Sequence, residues 1–251
     1  MAFTRREILS RAVCLAGAGA LRAQSTAGRK WKVIVTGGHP GDPEYGCGGT
    51  IARYTDLGHD VILLYLNRGE KSCPETPLDA GTNVRPAEAQ RACEILKARP
   101  MFAGQCDGHA VVDDSHYREF RALIDRERPD VLFTHWPIDG HRDHRAISMM
   151  SYDAWLEGGK KFGFYYYEVS DGEDTLMFPA AEFVDISAVE PRKRQACYAH
   201  ASQSPDRYYA MQSAVTKFRG SESGCAQAEG FVRHAQSRAG FLPEAASRGK
   251  S

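Results

Sequence analysis

Residues that could bind a metal ion occur first in the stretch GHPGDPEYGCGGT, at residues 38–50. His39 and Asp42 lie three residues apart within it. A neutral imidazole and a carboxylate are both ligands that zinc accepts in proteins. Pro40 restricts the backbone between them, so fewer conformations compete with one that presents both side chains. The stretch therefore predicts part of a metal site.

A second group of possible ligands lies much further along the chain, in the stretch DGHRDHRA. It contains two histidines and two acidic residues, namely Asp139, His141, Asp143 and His144. If a helix begins near Arg142, both histidines lie at its N-terminal edge and Asp143 can help to cap the first turn. Two histidines and a carboxylate make a catalytic zinc site with an open position for water. For each stretch alone a structural role is the better explanation, namely a turn for the first and a polar helix start for the second, but the pair predicts metal chemistry.

The segments around these stretches alternate between strand patterns and helix patterns. Strands are predicted over residues 31–38, 60–69, 129–135 and 162–169, early in 101–128, and at an edge over 182–187. Helices are predicted over 46–57, 85–98 and 146–156, late in 101–128, and over most of 189–232. This alternation predicts an α/β fold with a mostly parallel sheet and helices on both faces. Since ligands bind outside the carboxyl ends of such strands, both histidine stretches are expected at one pocket.

These motifs and their order resemble the LmbE-like (PIG-L) deacetylases, which pair a His-Pro-Asp-Asp-Glu motif with a later His-x-Asp-His motif. The resemblance continues through YYYEV, FVDIS and KRQACYAHASQ, and covers most of residues 31–231. It implies a Rossmann-like domain that uses zinc to hydrolyse N-acetyl groups, commonly on compounds containing N-acetylglucosamine. By the same resemblance, three residues bind zinc, namely His39, Asp42 and His144. It also implies that His141 stabilises the oxyanion or protonates the leaving amine, and that Asp143 orients this histidine.

One position departs from the family pattern in a way that bears on catalysis. The first Asp of the family motif, the general base for zinc-bound water, corresponds here to Gly41. The spacing to the following glycine cluster is unchanged, so this is a substitution and not a deletion. A general base contributes about 10²–10⁴-fold to the rate. Three hypotheses follow: Glu44 or Asp139 replaces the base, the enzyme is slow, or the chain binds zinc and carbohydrate without catalysis.

Two further residues are candidates for substrate binding. Arg68 follows the second predicted strand and could reach a hydroxyl or carboxylate, although a loop salt bridge explains it as well. His200, in HASQ, resembles a family segment near the pocket rim, and the alternative is a buried structural histidine. Arg85 and Glu88 are interpreted as surface charges of a helix.

The composition limits the classes of partner. Lys and Arg total 32, as do Asp and Glu, so no net charge indicates nucleic acid or an anionic membrane. The mean hydropathy is −0.46, and no apolar run approaches the ~20 residues of a membrane span. Neither G-x-G-x-x-G nor G-x-S-x-G occurs, which argues against a dinucleotide-binding protein and a serine hydrolase. The cysteines form no C-x-x-C pair, so a thiolate zinc site is not indicated, whereas disulfides stay open.

The N-terminus predicts an export signal. Residues 1–23 combine adjacent arginines, a short apolar run and small residues at a cleavage region, which is typical of the twin-arginine route. A linker over 24–30, one domain over 31–235 and a flexible tail over 236–251 are predicted to follow. The sequence thus predicts a periplasmic or extracellular zinc-dependent deacetylase whose substrate carries an N-acetylated amino sugar, without nucleic acid or a membrane span. The alternative is a catalytically impaired, zinc-retaining carbohydrate-binding relative, and the oligomeric state is left open.

Overall fold

The computed structural model describes residues 29–69, 84–170 and 172–243, and in these a seven-stranded sheet has the order β3-β2-β1-β4-β5-β7-β6. Its strands are β1 (Lys32–Gly37), β2 (Asp60–Tyr65), β3 (Arg99–Phe102), β4 (Val131–His135), β5 (Gly163–Tyr167), β6 (Glu182–Asp185) and β7 (Ala228–Arg233). The first five strands run parallel, and β7 pairs antiparallel with both β5 and β6. The predicted α/β fold with a mostly parallel sheet is confirmed.

Helices cover both faces of the sheet. In the described ranges they are α1 (Asp42–Asp56), α2 (Val84–Leu96), α3 (Asp114–Glu127), α4 (Arg142–Glu157), α5 (Glu190–Tyr198) and α6 (Pro205–Ser223). One hydrophobic core lies between the sheet and α1, α2 and α5, and the other lies between the sheet and α3 and α4. Successive residues of β1, such as Val33 and Ile34, enter opposite cores because side chains alternate along a strand.

The interpretation of residues 189–232 as mainly helical is confirmed by α5 and α6, but the strand β7 at the end of this range was not predicted. This strand follows α6 directly and enters the sheet between β5 and the predicted edge strand β6. Its six residues are too few to show a clear period beside two helices, and Gly230 weakens the strand pattern further. The strand is therefore specified by partners that are distant in the sequence.

The chain packs on the domain beyond the predicted boundary at residue 235. Phe241 and Leu242 lie against the hydrophobic core, and the Tyr54 hydroxyl donates to the Phe241 carbonyl at 2.5 Å. One aromatic and one aliphatic side chain here have apolar surface to bury. The sequence did not indicate this packing, because the residues around them are mostly small or polar. Phe241 and Leu242 are therefore part of the packed domain, although they lie in the range that was predicted to be a flexible tail. Residues 244–251 and the signal predicted at 1–23 lie outside the described residues.

Two features concern membrane spans and the oxidation state of the cysteines. Throughout the part that the structure describes, no helix combines the length and apolar character needed to cross a membrane. Cys106 is disulfide-bonded, whereas four other cysteines are free thiols, namely Cys47, Cys93, Cys197 and Cys225. One disulfide thus forms, and three of these four free thiols are buried.

The glycine cluster in α1 lets this helix pack closely on its neighbours. A Cβ atom on Gly49 would lie 2.4 Å from Ile186 Cγ2, closer than real side chains approach. Beside this contact the buried Glu229 carboxylate of β7 accepts the backbone N–H groups of Gly49 and Thr50 at 2.8 and 2.7 Å. The Lys193 ammonium donates to the same carboxylate at 2.6 Å. The cluster in GCGG therefore serves helix packing.

We expect Gly49→Ala to destabilise the fold by about 1–3 kcal/mol, because the added methyl group overpacks against Ile186. At an exposed helix position the same change is stabilising by up to about 1 kcal/mol, since alanine has the higher helix propensity. The free energy of unfolding, measured in denaturant, should therefore fall if the contact with Ile186 exists and rise if the position is open. A second substitution, Ile186→Ala, should cost less in the Gly49→Ala background than in the native chain. Fully additive losses would contradict the contact.

Candidate metal centre

A pocket of about 260 Å³ lies at the edge of the sheet where the parallel strands end. The loops that follow β1, β3, β4 and β5 contribute to its wall, as does the turn that precedes α6. Its polar side chains include His39, Asp42, Asp107, His141, His144 and Asp174. The two histidine stretches, which are far apart in the sequence, thus meet at one pocket.

The carboxylate of Asp42 brings the predicted ligands together. Its Oδ2 atom lies 3.4 Å from His39 Nδ1 and 3.1 Å from His144 Nε2. The same oxygen is 3.2 Å from Nε2 of His135, the last residue of β4. Gly38 leaves room for this cluster, since a Cβ atom there would lie 2.8 Å from His144 Cδ2. Nitrogen and oxygen donors therefore converge where one small ion could bind.

Each imidazole of the predicted metal set has a carboxylate at its other ring nitrogen. His144 Nδ1 is 3.1 Å from Asp139 Oδ1. His39 Nε2 is 3.0 Å from Asp107 Oδ1 and 3.2 Å from Asp143 Oδ2. Metal-binding histidines usually have such a partner, which fixes the tautomer and orients the ring. The donor set and its supports therefore fit a divalent ion such as zinc.

The described residues contain overlapping groups that could hold an ion, with ligand atoms within 4.8 Å of one another. They are His39, His141 and His144; Asp42, His135 and His144; and His39, Asp107 and Asp143. The sequence analysis did not single out His135, whose ring stacks on that of His144 with 4.0 Å between centroids. Its position at the carboxyl end of a buried parallel strand, where ligands bind in such sheets, could have identified it as a candidate ligand.

When no cation is bound, protons on the histidines compensate the negative charge of the buried carboxylates. Burial disfavours protonated His144, but Asp42 and Asp139 outweigh it and raise the pKa of His144 to about 9. Burial likewise opposes protonation of His39, yet Asp42 leads the carboxylates that raise the pKa of this histidine well above its usual value. Burial acts to raise the pKa of Asp42, but His144 and His39 hold it well below its usual range. A bound cation would take over the role of these protons.

His141 presents a hydrogen-bond donor to the pocket. It precedes the first residue of α4, and its Nδ1 accepts the backbone N–H of Asp143 at 3.2 Å. The neutral ring therefore carries its proton on Nε2. Burial and then the neighbouring His39 lower the pKa of His141, so the neutral form predominates near pH 7. A fixed N–H donor of this kind can stabilise a developing oxyanion.

Asp143 orients a different histidine from the one that the family resemblance implied. Its Oδ2 atom lies 3.2 Å from His39 Nε2 and accepts from the Asn67 amide at 3.1 Å and the Gly108 N–H at 2.7 Å. Its backbone N–H, and not its carboxylate, bonds to His141. The first turn of α4 directs this side chain towards the loops after β2 and β3. Asp143 is therefore a support for His39.

Asp139 is not positioned to replace the missing general base. Its Oδ1 atom accepts the backbone N–H of His141 at 2.8 Å and contacts the His144 ring, and its Oδ2 atom accepts the Thr175 hydroxyl at 3.1 Å. Among the described residues it is not part of the pocket wall. Asp139 therefore orients the His144 ring.

Glu44 is also absent from the pocket wall that the described residues form. Its Oε1 atom accepts the Tyr65 hydroxyl at 2.7 Å and lies 2.9 Å from His200 Nε2. Its Oε2 atom accepts the backbone N–H of Gly41 at 3.2 Å. Glu44 is fully buried behind these partners, so the hypothesis that it contacts the attacking water directly is corrected.

The two predicted substrate-binding residues have different surroundings. His200 lines the pocket, but Arg68 is exposed, lies over the Phe102 ring at 5.4 Å, and is not part of the wall as described. Arg85, interpreted from the sequence as a surface charge, does line the pocket and lies 3.7 Å from Asp107 Oδ2. The first turn of α2 returns to the sheet edge, which the helix pattern alone could not reveal.

Sequence reasoning also missed three acidic residues in or near the pocket. Asp107 follows β3, and Asp174 follows β5, where burial is the main cause that raises its pKa to about 6. Glu88, interpreted as a surface charge, is buried and accepts both the N–H and the hydroxyl of Ser202 at 2.8 Å. The signal for the first two was their place after parallel strands, whose carboxyl ends share one edge.

We expect Asp143→Asn to weaken binding of Zn²⁺ by about 10–100-fold, because an amide supports the His39 ring less well than a carboxylate. Competition with a chelating dye measures the dissociation constant. Asp153→Asn, on the same helix but away from the pocket, serves as the control and should bind Zn²⁺ as the native chain does. Equal affinities for the native chain and Asp143→Asn would contradict the assignment.

Binding of Zn²⁺ should become tighter as the pH rises. At neutral pH the cation-free protein holds His144 protonated, with a pKa of about 9, and the pKa of His39 is also raised. Zinc must displace roughly two protons, so raising the pH towards 9 removes its competitor and increases the affinity. Calorimetric titration in buffers of different ionisation enthalpy counts the protons released. Binding that releases none at neutral pH would show that these histidines are not ligands.

The chain is similar in sequence to proteins of one known family. Residues 34–155 match the family PIG-L, GlcNAc-PI de-N-acetylase. A diacetylchitobiose deacetylase of Thermococcus kodakarensis is 28% identical over 219 residues, covering 80% of this chain and 82% of that protein.

Two solved structures share the fold. The conserved protein TT1542 of Thermus thermophilus has a TM-score of 0.68 and 28% identity, and the match covers 83% of this chain and 100% of that one. The 4-carboxy-2-hydroxymuconate hydratase GalB of Pseudomonas putida has a TM-score of 0.73, covering 85% and 100%, but at 21% identity this likeness shows the fold alone. Residues 34–155 of this chain therefore carry a PIG-L (LmbE-like) family domain.

Proposed function

We propose that this protein is a zinc-dependent deacetylase that hydrolyses the N-acetyl group of an N-acetylglucosamine-type sugar or conjugate. The observation that carries the proposal is the convergence of His39, Asp42 and His144 beside His141 in one pocket of a PIG-L domain. The name of the Thermococcus kodakarensis relative, a diacetylchitobiose deacetylase, supports the substrate class.

The pocket residues have complementary tasks in this reaction. Zinc held by His39, Asp42 and His144 would lower the pKa of water and polarise the amide carbonyl. The Nε2–H group of His141 donates a hydrogen bond to the carbonyl oxygen as that oxygen gains negative charge. Arg85 lies at the wall of the pocket, where its guanidinium can donate to sugar hydroxyls. We propose it as a substrate-binding residue in place of Arg68.

We also propose that the mature chain acts outside the cytoplasm, after export by the twin-arginine route. The arginine pair and short apolar run within residues 1–23 support this location. The disulfide at Cys106 supports it independently, because disulfides persist in oxidising compartments and are rare in the cytosol. Export brings the enzyme to envelope or environmental glycans.

Gly41 favours a second candidate function, a zinc-retaining carbohydrate-binding protein without catalysis. Its φ of 113° suits glycine, and the position lacks the carboxylate that the family uses as base. The fixed hydrogen-bond donor at His141 favours the enzyme, since zinc and a sugar can be bound without it. Turnover decides between the two.

The zinc-loaded mature protein should release acetate from at least one member of a panel of N-acetylhexosamine compounds, and a chelator should stop the reaction. His141→Gln should lower kcat by about 10²–10³-fold, because the oxyanion loses a positioned donor. Arg68→Gln, outside the pocket wall, is the control and should keep the native rate. Sugar binding without acetate release would favour the carbohydrate-binding alternative.

A further inference from the structure

The carboxylates of the pocket wall differ in how they are engaged. Asp42 is shared by the imidazoles of the metal cluster. Asp107 lies 3.0 Å from His39 Nε2 and 3.7 Å from the Arg85 guanidinium. The third carboxylate, that of Asp174, lines the same pocket, and its side chain has no hydrogen-bond or ion-pair partner in the part of the chain that the structure describes. Asp174 is therefore the carboxylate of this wall that is available to accept a proton.

The Asp174 carboxylate is also open to water. The residue is only partly buried, and its oxygens are not among the fully buried side-chain atoms that lack a partner in the described ranges. Glu44 differs in this respect, because it is fully buried behind its partners. A water molecule in the pocket can therefore reach Asp174 directly.

The backbone fixes Asp174 beside the loop that carries His141. The backbone N–H of Gly140, the residue before His141, donates to the Asp174 carbonyl at 2.8 Å. The neighbouring residues Asp139 and Thr175 form an antiparallel bridge, and the Thr175 hydroxyl donates to the Asp139 carboxylate at 3.1 Å. Asp174 thus lies directly opposite Gly140, next to the hydrogen-bond donor that His141 presents.

The charges of the metal cluster act on the Asp174 carboxylate. Burial is the largest cause that raises the pKa of Asp174 to about 6, and protonated His144 opposes it. Three further carboxylates add to the rise, namely Asp42, Asp139 and Glu173. The interactions with His144 and Asp42 place Asp174 near the atoms that would hold an ion. A carboxylate whose pKa approaches the working pH is also a stronger proton acceptor than an ordinary one.

We propose that Asp174 accepts the proton of the attacking water, in place of the aspartate that Gly41 replaces. This inference rests on the deacetylase function proposed above. The loop after β1 has no accessible carboxylate left for this task, because Gly41 has no side chain and Asp42 is engaged by the histidines. The loop after β5 supplies one from the other side of the sheet edge.

The proposed step conserves atoms and charge. The water oxygen forms a bond to the acetyl carbonyl carbon while one water proton passes to the Asp174 carboxylate. The carbonyl π pair moves to the oxygen beside His141. This pair then forms the carbonyl again, the C–N bond breaks, and the nitrogen takes the proton from Asp174. The free amine and acetic acid leave, and the acid ionises to acetate in water.

The first test measures acetate release by the zinc-loaded mature chain. Asp174→Asn should lower kcat by about 10²–10⁴-fold, since an amide of the same size cannot accept the proton. KM and the affinity for Zn²⁺ should stay close to native, because Asp174 is not one of the metal ligands. Glu173→Gln is the matched control: this exposed neighbour pairs with Arg207, does not line the pocket, and should keep the native kcat.

A second readout uses the zinc-free protein and does not depend on activity. The pKa of Asp174 is higher in the folded chain than in the unfolded chain, so its ionised form destabilises the fold above about pH 6. Asp174→Asn should therefore raise the Tm at pH 8, and the gain should disappear as the pH falls towards 4. A Tm below native at pH 8 would show that Asp174 has a structural role, which overturns the inference.

The location of the carboxylate can be tested in the same protein. The side-chain ¹³C resonance of Asp174, identified by its loss in Asp174→Asn, should titrate with a midpoint of about 6. It should shift when N-acetylglucosamine is added, because the sugar would enter the pocket that Asp174 lines. A midpoint near 4 together with no response to the sugar would place the carboxylate outside the site and overturn the inference.

The outcomes separate this inference from the proposed function. If the native chain releases acetate and Asp174→Asn is equally fast, or if only its KM rises, the inference fails and the deacetylase function stands. If the native chain binds zinc yet releases acetate from no substrate, the proposed function fails and the inference fails with it. Loss of kcat in Asp174→Asn, with native kcat in Glu173→Gln, supports both.

Discussion

The buried carboxylate of Asp42 is the group on which the site depends. A carboxylate removed from water is costly unless positive charge or donors surround it. Asp42 meets this need with three imidazoles at one oxygen and with its place in the first turn of α1, where the helix dipole favours negative charge. The same interactions connect the loop after β1 to the loop after β4. The contacts that compensate the charge of Asp42 are therefore the same contacts that hold the two loops together.

A second layer of carboxylates extends this arrangement to the rest of the sheet edge. Asp139, Asp143 and Asp107 each contact the outer nitrogen of a histidine that itself contacts Asp42. Because His39 follows β1, Asp107 follows β3 and the other two acidic residues follow β4, the orientation of the rings depends on loops from three strands. Side chains held in this way are already ordered, which would reduce the cost of ordering them around an ion.

Much of this arrangement could be predicted from the sequence because it follows from apolar strands and their carboxyl ends. The start of α4 at Arg142 and the meeting of His39 with His144 are results of that kind. The direction of the Asp143 side chain could not be predicted, since a residue in a first helical turn can face either its own cap or a neighbouring loop. Arg85 was misread for a related reason: a helix pattern identifies a helix but not which of its ends reaches the pocket.

The position of β7 determines the order in which the molecule can be completed. This strand lies between β5 and β6, and its Glu229 meets the backbone of Gly49, which is 180 residues earlier in the chain. Contacts of such long sequence separation close late, since the loop between them must lose its entropy first. The ribosome releases the N-terminal strands long before β7 is made. The sheet therefore stays open beside β5 until β7 has left the ribosome, and α1 packs on the buried ion pair of Lys193 and Glu229 only then.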